Sequence, residues 1–133
     1  MGFDLRRGDD VLSIGVHTWT RAYAFAVEGG WDPKGTLPPK HLSRKERAAW
    51  PGRYDSNDGQ FIAADDASNM AAALEKMAAT LPPLAAEEDP TPFDEPSLAG
   101  GRVEPRTYFA LQSKRKILDI LIKYLRGGVC EIW

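Results

Sequence analysis

Residues 54–62 read YDSNDGQFI, and this stretch decides how the two halves of the chain are joined. Small polar residues and Gly59 precede an apolar pair, and an alanine-rich helical pattern starts near Asp65. Turns favour these residue types, because Gly adopts positive φ and short polar side chains bond the backbone. The stretch therefore predicts a structural turn, either between two short strands or between a strand and a helix, with positive φ at Gly59.

The clearest helix is predicted at about residues 65–79, where small and apolar residues recur at helical spacing. The stripe consists of Ala67, Met70, Ala71, Leu74, Met77, Ala78 and Leu81. Asp65 and Asp66 fall in the first turn, where the helix dipole favours negative charge. Pro82 and Pro83 are expected to end the helix.

The N-terminal part of the chain predicts one strand and two further helical segments. Residues 11–16 are apolar and β-branched, which favours a strand. Thr18 is positioned to cap a helix over about residues 19–28, which Gly29 and Gly30 would end. Ser43 and Glu46 have the spacing of a capping box, so one or two helical turns are expected from Ser43.

The C-terminal part predicts a long helix followed by a strand. Cations are unfavourable in a first helical turn, so we start this helix near Arg106 or Thr107 and place residues 114–116 in its middle. Residues 129–133 alternate as a terminal strand, with Trp133 docked on the domain. Together the elements predict an α+β fold in which two to three helices pack on a small, mainly antiparallel sheet.

Composition indicates one domain over residues 1–133. Apolar residues make up 43% and charged residues 27%, which is typical of globular proteins, and there is no apolar run of membrane-spanning length. Residues 84–104 are rich in Pro and acidic residues and are predicted to form a long acidic loop. The single Cys130 excludes an internal disulfide, so a reducing cytoplasm is the simplest location.

The net charge of −2 hides a segregation of charge along the chain. The balance is +3 over residues 1–53, −9 over residues 54–104 and +4 over residues 105–133. These charges either neutralise one another in the fold or present faces of opposite sign to partners.

Four segments carry a resemblance to a family of small uncharacterised bacterial proteins. They are GWDPKGT at residues 30–36, YDSNDGQ at residues 54–60, ADDA at residues 64–67 and GGVCEIW at residues 127–133. The motifs are Tyr-x-Ser-Asn-Asp-Gly-Gln and a Gly-Gly-x-x-Glu-Ile-Trp ending. The resemblance implies a bacterial or phage setting and no mechanism, and Ala63 departs from it where the family has a Ser or Thr helix cap.

A calcium loop is one alternative for the turn region. With Gly59 at the sixth position of such a loop, Asp58 and Asp65 fall at the fifth and twelfth, but Tyr54 occupies the first and is no ligand. The simpler interpretation is a turn without metal. A small metal-dependent enzyme or metal-binding protein is nevertheless kept as an alternative, centred on Asp55, Asn57, Asp58 and Asp65.

Catalytic patterns are weak elsewhere. His17 and His41 are the only histidines, and the sequence has neither a Gly-x-Ser-x-Gly elbow nor a zinc-binding His pair. Cys130 falls in an apolar strand, where a thiol is usually packing, and it meets His17 only if the first and last strands pair. We therefore expect no catalytic residues, no metal and no cofactor.

Two basic clusters near aromatic residues offer a nucleic-acid alternative. They comprise Arg44, Lys45 and Arg47 in one and Lys114, Arg115 and Lys116 in the other. Basic residues with aromatics bind phosphate and stack bases, but the overall acidic balance argues against a general nucleic-acid binder.

The sequence favours a non-catalytic protein-binding module of bacterial or phage origin, of the inhibitor, immunity or counter-defence type. We expect it to act in the cytoplasm, without a membrane, through an acidic surface that meets a basic partner. The residues assigned to that surface are Asp55, Asp58, Asp65, Asp66, Glu87, Glu88 and Asp89.

Overall fold

The computed structural model describes residues 2–81 and 104–133. The elements within these ranges follow in the order β1 (Gly2–Arg7), β2 (Asp10–Gly15), α1 (Val16–Glu28), α2 (Arg44–Ala48), β3 (Gln60–Ile62), α3 (Ala64–Ala78), α4 (Pro105–Ala110), α5 (Gln112–Arg126) and β4 (Cys130–Ile132). Helices packed on an antiparallel sheet confirm the predicted α+β class. The acidic loop expected at residues 84–104 lies outside the described residues apart from Glu104.

The four strands form one open sheet in the order β2-β1-β4-β3, and every neighbouring pair is antiparallel. β4 is central, because Ile132 pairs with Leu5 of β1 on one side and with Gln60 of β3 on the other. The strand predicted at residues 11–16 is β2, and the predicted terminal strand is β4. β1 was not predicted, because its charged residues alternate with its apolar ones and hide the strand.

Alternation along the strands gives the sheet two different faces. Phe3 and Leu5 of β1, Ile14 of β2 and Ile132 of β4 are buried and point to the helices. Arg6, between the inward positions of β1, is exposed on the opposite side. Side chains of successive strand residues point to opposite faces, so one face joins the core and the other, here called the outer face, does not.

α3 lies between α1 and α5 and provides the centre of the core. All seven residues of its predicted apolar stripe are buried, so the helical periodicity identified its inward side correctly. Among the described residues, none of the helices is both long and apolar enough to cross a membrane.

The prediction that Thr18 caps the first helix is wrong. α1 begins at Val16 with Gly15 as its N-cap, and Thr18 is a buried residue of the helix. Its hydroxyl shares a hydrogen bond of 2.6 Å with the hydroxyl of Tyr108 in α4. The side chain therefore joins two helices, and residues distant in sequence decide its role.

The prediction of one continuous C-terminal helix is also wrong. Leu111 has an extended ψ of 135°, which separates α4 from α5. The basic triplet consequently lies near the start of α5, where its own helix dipole repels cations. Arg115 donates instead to the carbonyl oxygen of Ala78 at the end of α3, 3.2 Å away, so the negative end of a neighbouring helix receives the charge.

The short helix α2 has the capping box that its sequence predicts. The N–H of Glu46 donates to Oγ of Ser43 at 3.2 Å, and the N–H of Ser43 donates to Oε1 of Glu46 at 2.9 Å. These bonds lower the pKa of the Glu46 carboxyl, first through the backbone of Ser43 and then through its side chain. The helix is exposed along its whole length, so capping rather than burial defines it.

Candidate functional site

The second residue of the loop formed by residues 53–59 is a buried tyrosine. The hydroxyl of Tyr54 donates to Oδ2 of Asp66 and accepts from the backbone N–H of Gly35 at 2.9 Å. Burial raises the pKa of Tyr54, and the hydrogen bond to Asp66 raises it further. The phenol therefore keeps its proton and holds the loop against α3.

Asp66 is the receiving end of this contact and is only 1% exposed. Its Oδ1 accepts from Nε1–H of Trp31 at 3.0 Å and from the backbone N–H of Lys34 at 3.3 Å. All three donors, including the Tyr54 hydroxyl, are neutral. Every polar group in this set has a hydrogen-bond partner when the Tyr54 hydroxyl donates to Asp66.

Three aromatic rings pack together at this hydrogen-bonded group, and two of them, Trp31 and Tyr54, belong to it. Tyr23 lies 5.3 Å from Trp31 and 5.5 Å from Tyr54 between ring centroids, and Trp31 meets Tyr54 edge-on at 5.3 Å. Edge-to-face contacts of this kind fix ring orientation as well as burying area. Trp19 adds a further tie, since its Nε1–H donates to the carbonyl oxygen of Tyr54 at 2.7 Å.

A cleft of about 380 Å³ opens beside these rings. Its lining residues are Trp19, Thr20, Tyr23, Gly52, Arg53, Tyr54 and Asp55. The aromatic residues form the walls, while Arg53 and Asp55 are exposed at the rim. We refer to this feature as the aromatic cleft.

The buried side chain of Gln60 shapes the loop from within. Its Nε2 donates to the carbonyl oxygens of Arg53 at 3.1 Å and Ser56 at 2.6 Å, and its Oε1 accepts from the N–H of Asp58 at 2.9 Å. One amide thus forms hydrogen bonds with three backbone groups of the turn. The sequence placed Gln60 in its most specific motif without indicating this role.

The far end of the loop meets the outer face of the sheet. Gly59 has the predicted positive φ, at 89°, and its N–H donates to the carbonyl oxygen of Ile132 at 2.7 Å. A Cβ built on Gly59 would lie 2.7 Å from the ring of Trp133. Glycine is required here for conformation and for space.

The backbone of Trp133 is hydrogen-bonded to the sheet, while its ring is half-exposed. It exchanges two backbone hydrogen bonds with Asp4, of 2.7 and 2.8 Å, and its indole is 40% exposed. His41 stacks on the ring at 6.5 Å between centroids, and the guanidinium of Arg6 lies 5.8 Å from its centre. The indole Nε1–H donates to Glu131 at 2.7 Å.

The structure places the described acidic residues on the loop and at the start of α3. Asp55 lies at the rim of the aromatic cleft, and Asp58 precedes Gly59 beside Trp133. Asp65 is exposed in the first turn of α3, where its Oδ1 accepts from the N–H of Asp66 at 2.9 Å. Glu87, Glu88 and Asp89 lie outside the described residues.

Asp66 has to be removed from the predicted partner-binding set. Its carboxylate is buried and fully occupied by neutral donors within the domain. The sequence placed it in a first helical turn and explained it by the helix dipole. Its partners Trp31 and Tyr54 come from distant loops, so no local pattern indicated the burial.

Nothing in the described ranges forms the ligand set that the metal alternative requires. Across residues 2–81 and 104–133, no three His, Cys, Asp or Glu side chains converge as metal ligands. Asp55, Asp58 and Asp65 are exposed, and so is Asn57 on the loop.

The two basic clusters have different surroundings. Arg44, Lys45 and Arg47 are exposed on α2. In α5, Arg115 is tied to Ala78, and the Nζ of Lys114 lies 5.5 Å from the ring centre of Tyr108. The second cluster is thus partly engaged in packing.

Cys130 and His17 do not form a nucleophilic pair. Cys130 points into the core from β4, which pairs with β1 and β3, whereas exposed His17 follows β2 at the edge of the sheet. Burial raises the pKa of the Cys130 thiol to about 11. A buried thiol that resists ionisation is a packing residue.

We found no protein-family model, no curated protein and no solved structure that matches this chain.

Proposed function

We propose that this protein is a non-catalytic binding module of bacterial or phage origin that acts in the cytoplasm on another protein. The inhibitor, immunity or counter-defence type fits its size and composition. The observation that carries the proposal is the half-exposed indole of Trp133, held in a fixed position on the outer face of the sheet.

The outer face has the composition of a binding surface. Val11 and Leu37 are 48% and 49% exposed, and the register aligns Val11, Arg6, Glu131, Phe61 and Leu37 in one row across the strands. Trp and Arg are the residues that most often dominate the energetics of protein interfaces. Trp133 lies beside this row, with Arg6 against its ring.

Fixed side chains strengthen the case for recognition by this face. Two backbone hydrogen bonds hold Trp133 to Asp4, and His41 and Arg6 restrict its ring. A side chain that is already ordered loses little conformational entropy when a partner binds. The indole therefore has the properties of an anchor that enters a pocket on the partner.

Acidic side chains near the two ends of the loop support a partner with a basic surface. Asp58 adjoins the Trp133 region and Asp55 the aromatic cleft, and neither forms an ion pair within the described part of the chain. Exposed carboxylates accelerate association with a basic surface, and salt screens the effect over about 8 Å at physiological ionic strength.

The test starts from a partner purified after capture from the source organism, whose affinity is then measured for two matched variants. Trp133→Ala is expected to weaken binding by about 30-fold or more, the effect of removing an interface anchor. Ile120→Ala removes another exposed apolar residue, from α5, and is expected to leave affinity unchanged.

Charge variants test the acidic part of the proposal. Asp55→Lys with Asp58→Lys is expected to slow association at low salt more than it speeds dissociation. A partner that tolerates Trp133→Ala and these reversals, but is lost when Arg44 and Arg47 are changed to Glu, would contradict the proposal. A nucleic acid captured with that same dependence would move the function to the basic cluster of α2.

A further inference from the structure

The two edges of the sheet differ in how they are covered. At one edge, Leu37 and Phe61 exchange two backbone hydrogen bonds, of 2.8 and 3.0 Å, so a further extended segment lies along the short strand β3. At the other edge, β2 has six residues, and within the described ranges no strand pairs with its outer side, here called the open edge. We propose that β2 pairs there, antiparallel, with β2 of a second copy of this chain.

The sequence of β2 does not oppose such pairing. Natural edge strands discourage it with Lys, with Pro, or by being very short. β2 has neither Lys, Arg nor Pro, and its one charged residue, Asp10, is at its first position. β3, by contrast, has only three residues and already has Leu37 beside it. The open edge is therefore the side of the sheet on which another strand can add.

The backbone of β2 is oriented for this pairing. The N–H and C=O of Asp4 in β1 form hydrogen bonds with Trp133, on the side of β4. Because antiparallel ladders alternate, Ser13, which lies opposite Asp4, directs its own N–H and C=O away from β1. Val11 and Gly15, two positions to either side, have the same orientation. Three backbone N–H groups thus point toward the open edge.

Apolar side chains flank the open edge on both faces of the sheet. Val11 is 48% exposed on the outer face. Leu12 and Val16 pack against the core from the inner face but are only partly buried. A strand added beside β2 would cover all three, and burial of apolar surface is the main favourable term in association.

The distribution of charge favours a second copy in antiparallel orientation. Asp9 and Asp10 are at the start of β2, whereas residues 11–27 contain no Asp or Glu. An antiparallel pair places the acidic start of each strand beside the far end of the other, where His17 is exposed. A parallel pair would instead bring the four carboxylates together, and like charges that face each other destabilise a strand pair.

The orientation of the side chains limits the register. Directly opposite residues of an antiparallel pair share a face, which allows Leu12 to lie opposite Leu12 of the second copy and Val11 opposite its Ser13. The twofold axis then runs perpendicular to the sheet and joins two four-stranded sheets into one. Both Trp133 rings lie on the same side of the joined sheet. Because Leu37 covers the β3 edge, assembly ends at the dimer.

Sedimentation velocity of the full chain measures this association directly. A strand of six residues provides a small interface, so we expect mainly monomer at about 20 µM and mainly dimer at about 1 mM. Monomer alone at the higher concentration would overturn the proposal. Trimers or longer polymers would overturn it as well, because pairing through β2 uses the one open edge of each copy.

NMR locates the interface. In a mixture of ¹³C-labelled and unlabelled chains at about 1 mM, intermolecular NOEs are expected between the Leu12 methyl groups of the two copies, because side chains approach most closely in pairs without hydrogen bonds. Intermolecular NOEs that involve Trp133 and not β2 would assign the dimer to the outer face and would refute pairing at the open edge.

Matched variants separate the two edges. Val11→Lys places a cation on the open edge and is expected to weaken self-association at least about tenfold. Leu37 is 49% exposed, as Val11 is 48% exposed, so Leu37→Lys makes the same change at the covered edge and should leave the association unchanged. Trp133→Ala should also leave it unchanged. Thermal melts at about 20 µM compare the folding of the monomers.

Equal weakening by the two Lys variants would contradict the proposal, because it would show no preference for the open edge. A dimer that survives Val11→Lys but is lost in Trp133→Ala would also contradict it. Since the Trp133 surface and the open edge are tested by different variants, failure of this proposal is distinguishable from failure of the proposed function.

Discussion

The loop of residues 53–59 joins two regions that use aromatic residues in opposite ways. At its start, Tyr54 is buried and its hydroxyl is bound to Asp66 and Gly35. At its end, Gly59 supports Trp133, whose ring is 40% exposed. Tyr54, with its closed polar group in the core, and Gly59, beside the exposed Trp133, are therefore only five positions apart in the chain.

This difference predicts which substitutions affect stability and which affect binding. A buried polar group left without its partner incurs the full desolvation cost, so changes near Tyr54 affect the free energy of unfolding. An exposed ring loses little on truncation in the free protein, so changes at Trp133 affect binding. The following predictions test this division, from the largest expected effect to the smallest.

Asp66→Ala is expected to lower the free energy of unfolding by about 3–5 kcal/mol, because it leaves buried donors of Trp31, Lys34 and Tyr54 unpaired. Urea denaturation measures the change. The matched control Asp65→Ala removes the exposed neighbouring acid and should cost about 0.5 kcal/mol. Equal losses in the two variants would mean that the Asp66 contacts add nothing to stability.

Alkaline pH should remove stability through Cys130, on the inner side of the strand that leads to Trp133. The pKa of this thiol is about 11 in the folded protein and 9 ordinarily. Its contribution to the free energy of unfolding is therefore complete below pH 9 and is lost as the pH rises through 11. The two-unit difference corresponds to about 2–3 kcal/mol. Urea denaturation of wild type and Cys130→Ala between pH 8 and 11 measures it.

The same burial predicts slow reaction of Cys130 with a thiol reagent at pH 8 in native protein and rapid reaction in urea. If the native thiol reacts at the unfolded rate, or the two proteins lose stability in parallel above pH 9, the assignment of Cys130 to the closed core is wrong.

Gly59→Ala is expected to cost about 2 kcal/mol, from its positive φ and from the approach of the new Cβ to Trp133. Gly8→Ala has a positive φ but open space and should cost about 1 kcal/mol. Thermal melts compare the two. Adding Trp133→Ala to Gly59→Ala should recover the difference, and failure to recover it would show that the ring already yields.

Ser43→Ala should have the smallest effect, about 0.5–1 kcal/mol, because α2 is exposed. Separately, the pKa of Glu46 is lowered by Ser43, so the stabilisation from the ionised Glu46 carboxylate is present above the ordinary carboxyl pKa and is lost as the pH falls through the lowered one. NMR titration of Glu46 should show its pKa rising in the variant. The backbone N–H of Ser43, which is the larger cause, is retained in the variant, so an unchanged pKa would assign the lowering to that bond and not to the Ser43 side chain.

Patterns that depend on neighbours in sequence predicted the fold well. The stripe of α3, the capping box at Ser43 and the positive φ of Gly59 each follow from a few adjacent residues. β1 escaped prediction because Asp4, Arg6 and Arg7 obscure its apolar positions. The break at Leu111 has no Gly or Pro to indicate it. On its two sides, α4 packs on α1 and α5 packs on α3.

The candidate sites were harder to predict, because each joins distant segments. Asp55 and Asp58 were identified as exposed acids, but Asp66 is buried by Trp31 and Tyr54. The aromatic cleft combines α1 with the loop of residues 53–59, and the Trp133 surface combines both ends of the described chain. Neither has a local sequence pattern, since only the tertiary fold brings its members together.

The central position of β4 also has a consequence for synthesis on the ribosome. β1 and β3 share no neighbouring edge until Cys130–Ile132 enters between them, yet β4 is the last described element to be made. During translation the chain can form the β1–β2 hairpin and single helices, while the sheet stays divided. The β1–β4 and β3–β4 pairs can therefore form only after Cys130–Ile132 has been made.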